Sequence, residues 1–161
     1  MIAIIDYDAG NLRSVEKALQ YLGKETIVTR DSEQIRKADK VILPGVGAFG
    51  DAMKKLQEYH LDTLIREIAD SGKPLLGICL GLQLLFEESE ESQGVKGLGI
   101  LEGKIKRIPE EKGLKVPHIG WNSLHLEHNG RLFHNIPENS YVYFVHSYYL
   151  EAKDPEIVKA S

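Results

Sequence analysis

The residues best suited to chemistry lie in Gly77-Ile78-Cys79-Leu80-Gly81, where the chain's single cysteine has a glycine two residues before it and another two residues after. This is the spacing of a nucleophile elbow with sulfur in place of a serine oxygen. A strand that turns sharply into a helix needs small residues at both positions, because the backbone doubles back there. The turn holds the nucleophile clear of the sheet. The new helix directs free N–H groups and its positive dipole end at the sulfur, which favours the thiolate. Pro74–Ile78 supplies a short apolar strand, and Leu80–Phe86 an apolar helix with Gln83 in its first turn. An inert cysteine packed between two glycines fits the same five residues.

Three further stretches invite a chemical reading. Pro44-Gly45-Val46-Gly47-Ala48-Phe49-Gly50 carries glycines that let backbone N–H groups face outward, as an oxyanion hole requires; a plain strand-to-helix loop has the same composition. It lacks the Gly-Lys-Ser/Thr of a phosphate-binding P-loop. Glu87-Glu88-Ser89-Glu90-Glu91 reads as a solvated acidic face. Of the six histidines, His118, His125, His128 and His134 are loosely spaced, without a cysteine cluster or a His-Glu-x-x-His, so no metal site is expected. A thiol nucleophile needs a base, but spacing alone selects none of these imidazoles.

These residues need a scaffold, and the first half of the chain describes one. Ile2–Tyr7, Thr26–Thr29 and Val41–Leu43 read as strands, separated by a helix with Leu12, Val15, Ala18, Leu19 and Leu22 on one face, capped by Gly23, and by a short helix beginning at Asp31 or Ser32. Ala52, Met53, Leu56, Leu61, Leu64, Ile65 and Ile68 mark further packed helices before the strand that carries Cys79. The alternation predicts a parallel sheet with helices on both faces and ligands at the carboxyl ends of its strands. From Gly94 onward the texture changes to glycines and alternation. Gly97–Ile108, Ser123–His128 and the aromatic Tyr141–Tyr149 read as antiparallel strands appended to the parallel half.

Composition narrows the function classes. With 161 residues, 42% apolar and 27% charged, the chain suits one domain with a sizeable core. A net charge of −4 argues against nucleic-acid binding. A lone cysteine fits a reducing compartment. No apolar run reaches the roughly 18 residues of a membrane span, and Met1–Asp6 lacks the features of a signal peptide. A cytoplasmic protein without membrane contact is expected.

Gly-Ile-Cys-Leu-Gly-Leu-Gln resembles the nucleophile motif of the class I glutamine amidotransferases, which carry a Cys-His-Glu triad on a flavodoxin-like α/β fold. Within that class, Pro44–Gly50, Pro117-His118-Ile119-Gly120-Trp121-Asn122, Asp8-Ala9-Gly10-Asn11 and Tyr143–Tyr148 are similar to the glutaminase subunits of imidazole glycerol phosphate synthases. The resemblance implies that Cys79 attacks the side-chain amide of glutamine and that no cofactor is needed. Val46, Gly47 and Leu80 would form the oxyanion hole, and Gly47, Gln83, Glu91, Ser147 and Tyr148 would hold glutamine. Ammonia would pass to a (β/α)8-barrel cyclase subunit, the partner in a heterodimer, with Asn11, Trp121 and Asn122 near the interface. For Trp121 a place in the core is the other reading.

In the family, a strand followed by His-Pro-Glu supplies the triad histidine and glutamate. None of the six histidines here stands in that context. The resemblance therefore implies a single amidotransferase domain over residues 1–161, C-terminally incomplete, with slow turnover in the absence of the base. It leaves a second possibility: a truncated or engineered fragment that binds the partner without catalysis.

Overall fold

The computed structural model describes residues 1–111, 115–127 and 130–161; His128 lies outside the described residues. The first half alternates strand and helix: β1 (Ile2–Ile5), α1 (Leu12–Tyr21), β2 (Thr26–Thr29), α2 (Ser32–Lys37), β3 (Lys40–Gly45), α3 (Phe49–Glu58), α4 (Leu61–Asp70), β4 (Leu75–Cys79) and α5 (Leu80–Gln83). Its four strands pair in parallel in the order β2-β1-β3-β4, with Gly45 of β3 opposite Cys79 of β4.

Helix periodicity fixes which face is buried. Phe49, Ala52, Met53 and Leu56 of α3 recur at helical spacing and are all buried, as are Leu61, Leu64, Ile65 and Ile68 of α4. They cover the sheet face formed by Ala3, Ile5, Val41 and Leu43, in one cluster that also holds Tyr7, Leu80, Leu84 and Phe86. Each large aliphatic or aromatic side chain withdrawn this way contributes about 1.5–3 kcal/mol. The opposite face is thinly covered. Helix α1 has no fully buried residue, and a groove of about 550 Å³ lined by Ile2, Leu19, Ile42, Leu76 and Leu132 remains beside it. Caps stand where side-chain chemistry places them. The Asp31 carboxylate accepts the Gln34 N–H at 2.9 Å, and Gly23 takes up a left-handed φ of 68° behind α1.

The second half contains β5 (Glu88–Ser89), β6 (Gly103–Arg107), β7 (His118–Ser123), β8 (Tyr141–His146) and β9 (Tyr148–Ala152). Strand β6 pairs antiparallel with β9 and parallel with β5, while β7 and β8 form an antiparallel ribbon.

Three local expectations need correction. The strand expected over Ser123–His128 instead occupies His118–Ser123. Pro117 and Gly120 weaken the local strand signal there, and pairing with β8 overrides it. The aromatic run Tyr141–Tyr149 is two strands in two sheets, broken at Ser147. Helix α5 stops at Gln83, because the carbonyls of Leu84, Leu85 and Phe86 accept N–H groups from Leu98, Ile100 and Gly99 at 2.8, 2.9 and 3.1 Å. The acidic run is likewise more than a solvated face. Glu87 and Glu90 accept the backbone N–H groups of Gly103 and Arg107, and Glu88 bridges Lys96 and Lys104.

Candidate active site

Cys79 ends β4, is exposed, and has φ 55° and ψ −119°. A non-glycine residue is strained at positive φ, and such strain concentrates where the surrounding structure holds a reactive group in place. The two flanking glycines are steric necessities. A Cβ on Gly81 would stand 1.9 Å from the Leu43 carbonyl oxygen, and one on Gly77 would stand 2.5 Å from Leu82 Cα. The doubling-back inferred from sequence is therefore present: α5 returns so tightly over β3 and β4 that only hydrogen fits at either glycine. Because α5 is a single turn, its dipole is smaller than that of a full-length helix, and the backbone N–H groups at its start are its main resource for an anion.

The glycine loop runs directly alongside. Gly45 pairs with Cys79 across the β3–β4 ladder, and a Cβ on Gly45 would meet the Gly81 nitrogen at 2.6 Å. Val46 is 53% exposed and Gly47 adopts φ 95° with nothing within 4 Å of where its Cβ would stand, so side chains leave the loop backbone unobstructed where it leaves β3 beside β4. The fully buried Tyr7 lies beneath it and donates its hydroxyl to the Pro44 carbonyl oxygen at 2.8 Å. Burial, and then the charge of nearby Cys79, pushes the Tyr7 phenol well above its ordinary pKa, so it remains a neutral donor. On the far side of the loop, Glu91 Oε2 accepts the Phe49 N–H at 2.8 Å and Ser92 Oγ accepts the Gly50 N–H at 2.9 Å.

The fold thus gathers Cys79, Leu80, Val46 and Gly47 at the carboxyl ends of β3 and β4, with Glu91 tied to the same loop by its bond to Phe49. Gln83 is half-buried one turn beyond the cysteine. Ser147 and Tyr148 come from the second half of the chain, Tyr148 packing against the common core. Ser147 marks the corner between β8 and β9, its carbonyl accepting the Ile108 N–H at 2.9 Å, and Tyr148 opens β9 opposite Arg107. Asn11 caps α1, its side chain accepting the Ser14 N–H at 3.3 Å. Trp121 is 68% exposed, which removes the reading of a core aromatic. It shares one face of the ribbon with Ile119, Tyr141, Tyr143 and Val145, all exposed, and its ring meets Tyr143 edge-on at 5.6 Å. Its neighbour Asn122 points to the other face and lines a cavity with His118 and His146.

Histidines whose contacts the structure gives are engaged elsewhere. His118 Nδ1 lies 3.1 Å from His146 Nε2, His146 Nδ1 lies 2.9 Å from the Tyr148 carbonyl oxygen, and His125 Nδ1 lies 2.9 Å from Glu138. Among the described residues no group of three metal-ligating side chains converges, and no helix is long and apolar enough to cross a membrane. Sequence reasoning passed over Tyr7 and Ser92. Tyr7 could have been found from its type alone, since a tyrosine ending a buried strand needs a partner for its hydroxyl; Ser92 carries no such signal.

Comparison with known proteins agrees with this fold. Residues 3–161 match the family described as Glutamine amidotransferase class-I. The chain is 55% identical over 158 residues to an imidazole glycerol phosphate synthase subunit HisH from Bacillus cereus (strain G9842), covering 98% of this chain and 74% of that one. It is also 55% identical over 157 residues to the HisH subunit of Moorella thermoacetica, with the same two coverages, 98% and 74%. Among solved structures, a crystal structure of a glutamine amidotransferase superposes with a TM-score of 0.76 at 23% identity, over 99% of this chain and 79% of that one.

Proposed function

The chain belongs to the class I glutamine amidotransferases, and we infer that it acts as the glutaminase subunit of an imidazole glycerol phosphate synthase, in histidine biosynthesis. Its partner is the cyclase subunit and its substrate is glutamine. The observation that carries the catalytic reading is Cys79 at positive φ on the tip of β4, paired with Gly45 so that an unobstructed glycine loop begins beside it.

Cys79 Sγ attacks the side-chain amide carbon of glutamine. The carbonyl oxygen becomes an oxyanion, met by the N–H of Leu80 and by the loop N–H groups of Val46 and Gly47. The C–N bond then breaks; the proton taken from the thiol goes to the leaving nitrogen, and ammonia departs from a γ-glutamyl thioester. Water cleaves the thioester to glutamate. Gly47, Gln83, Glu91, Ser147 and Tyr148 hold the substrate; Glu91 has its second oxygen available for the glutamine ammonium while the first caps Phe49. Residues 1–161 act as one domain. The aromatic ribbon face around Trp121, with Asn11 and Asn122, meets the barrel subunit. The location is cytoplasmic, in keeping with a lone unpaired cysteine.

Ammonia release from glutamine, measured with and without the barrel subunit, tests this reading. Cys79→Ala should abolish release, a loss of several orders of magnitude relative to wild type. Release that survives Cys79→Ala removes Cys79 from the chemistry. Rapid release by residues 1–161 alone places the base among them. A second reading, partner binding without catalysis, draws on the exposed ribbon face and on the histidines engaged away from Sγ; barrel binding with no release under any of these conditions selects it.

A further inference from the structure

We propose that Tyr7 and Ser92 are positioning residues that clamp the two ends of the oxyanion loop, so that the N–H groups of the peptides between them stay within reach of a group bound at Cys79. The inference rests on the glutaminase reading of Cys79. Upstream, the Tyr7 hydroxyl holds the Pro44 carbonyl oxygen at 2.8 Å, and its ring is fully buried, so the donor cannot swing away. The same hydroxyl lies close against Gly45, where an added Cβ would meet it at 2.8 Å.

Downstream, α3 begins without a cap of its own, since Ala48 offers no side-chain acceptor. Two of its orphan N–H groups are satisfied from across the chain, Phe49 by Glu91 and Gly50 by Ser92. Ser92 is itself held, because its N–H donates to the Ser89 carbonyl oxygen at 3.2 Å and Ser89 is buried. Between the clamps lie only Gly45 to Ala48, with Val46 exposed and Gly47 unobstructed at φ 95°. Gly45 is held in the ladder opposite Cys79, so the placement of the short stretch from Val46 to Ala48 depends on what fixes its two ends. An oxyanion donor must stand 2.7–3.1 Å from the developing charge, so a small rotation at either end moves it out of reach.

The test compares two electrophiles on the chain in complex with its barrel subunit. A glutamine-like chloroketone forms an oxyanion when Cys79 attacks it and depends on the loop. Iodoacetamide alkylates the same sulfur without one. Tyr7→Phe and Ser92→Ala should each slow chloroketone labelling about tenfold and leave iodoacetamide labelling within about twofold, with Ser92→Thr restoring the lost rate. Hydrogen exchange at the amides of residues 45–48 should rise in both variants, while that of α4 stays unchanged. Equal slowing of both reagents, or of neither, overturns the clamp. So does loop exchange identical to wild type in a variant that circular dichroism shows to be folded. Wild type that reacts with iodoacetamide but not with the chloroketone overturns the glutaminase reading itself, a result distinct from an unchanged ratio in the variants.

Discussion

Among the described glycines, Gly81→Ala creates the tightest contact. An added Cβ would stand 1.9 Å from the Leu43 carbonyl oxygen, against about 3.4 Å for ordinary contact, so α5 and β3 must separate by roughly 1.5 Å. Two effects oppose each other. Gly81 is helical and its φ is not positive, so alanine gains about 1 kcal/mol in propensity. Overpacking against backbone, which cannot rotate away, costs about 3 kcal/mol. The net loss is about 2 kcal/mol, enough to lower the urea midpoint by about 1 M at an m-value near 2 kcal/mol/M. The effect on the site is larger. A displacement of 1 Å or more between Cys79 and the loop beside it should reduce labelling by a glutamine-like chloroketone about a hundredfold. Gly72→Ala serves as the control: no atom lies within 4 Å of its Cβ, so only the left-handed φ of 74° is penalised, by about 1 kcal/mol, and labelling is unaffected. An unchanged midpoint together with unchanged labelling in Gly81→Ala would refute the reasoning that the elbow glycine is dictated by the return of α5 over β3.

Two further outcomes follow from the surface. Trp121→Ala, at a 68% exposed site, should shift stability by no more than about 0.5 kcal/mol yet weaken binding of the barrel subunit about thirtyfold in a titration; equal binding would move the interface off the ribbon. Glu88 is held at about 2 by its bonds to Lys104 and Lys96, so its contribution to stability is present above the ordinary glutamate range and is lost as pH falls toward 2. Glu88→Gln should therefore be less stable than wild type at pH 7, with the gap closing as urea midpoints are followed down from about pH 4.5. A gap that stays constant across that range would show that the lysine bridges do not act through the Glu88 charge.

Each partner of the acidic run shows why sequence and structure divide as they do. Glu87, Glu90 and Glu91 satisfy backbone N–H groups of Gly103, Arg107 and Phe49, residues 16, 17 and 42 positions away. Nothing local distinguishes a carboxylate destined for such a bond from one facing water. The same holds for the ribbon, where Gly120 and Pro117 mask a strand that exists because β8 pairs with it.

Local rules sufficed wherever neighbouring residues decided the outcome. Gly77, Cys79 and Gly81 mark the elbow because a sharp turn excludes side chains two residues to either side, and the buried positions of α3 and α4 follow from helical period. From residue types alone the sequence thus determined the elbow, the parallel half of the fold and the position of the glycine loop; the role of Cys79 as nucleophile came from the family resemblance. Tertiary structure alone decided what stands beside that loop. Tyr7 reaches Pro44 across 37 residues, and Ser92 reaches Gly50 across 42. Such partners are chosen by where packed elements bring backbone groups that must be satisfied, and a one-dimensional pattern carries no record of that choice.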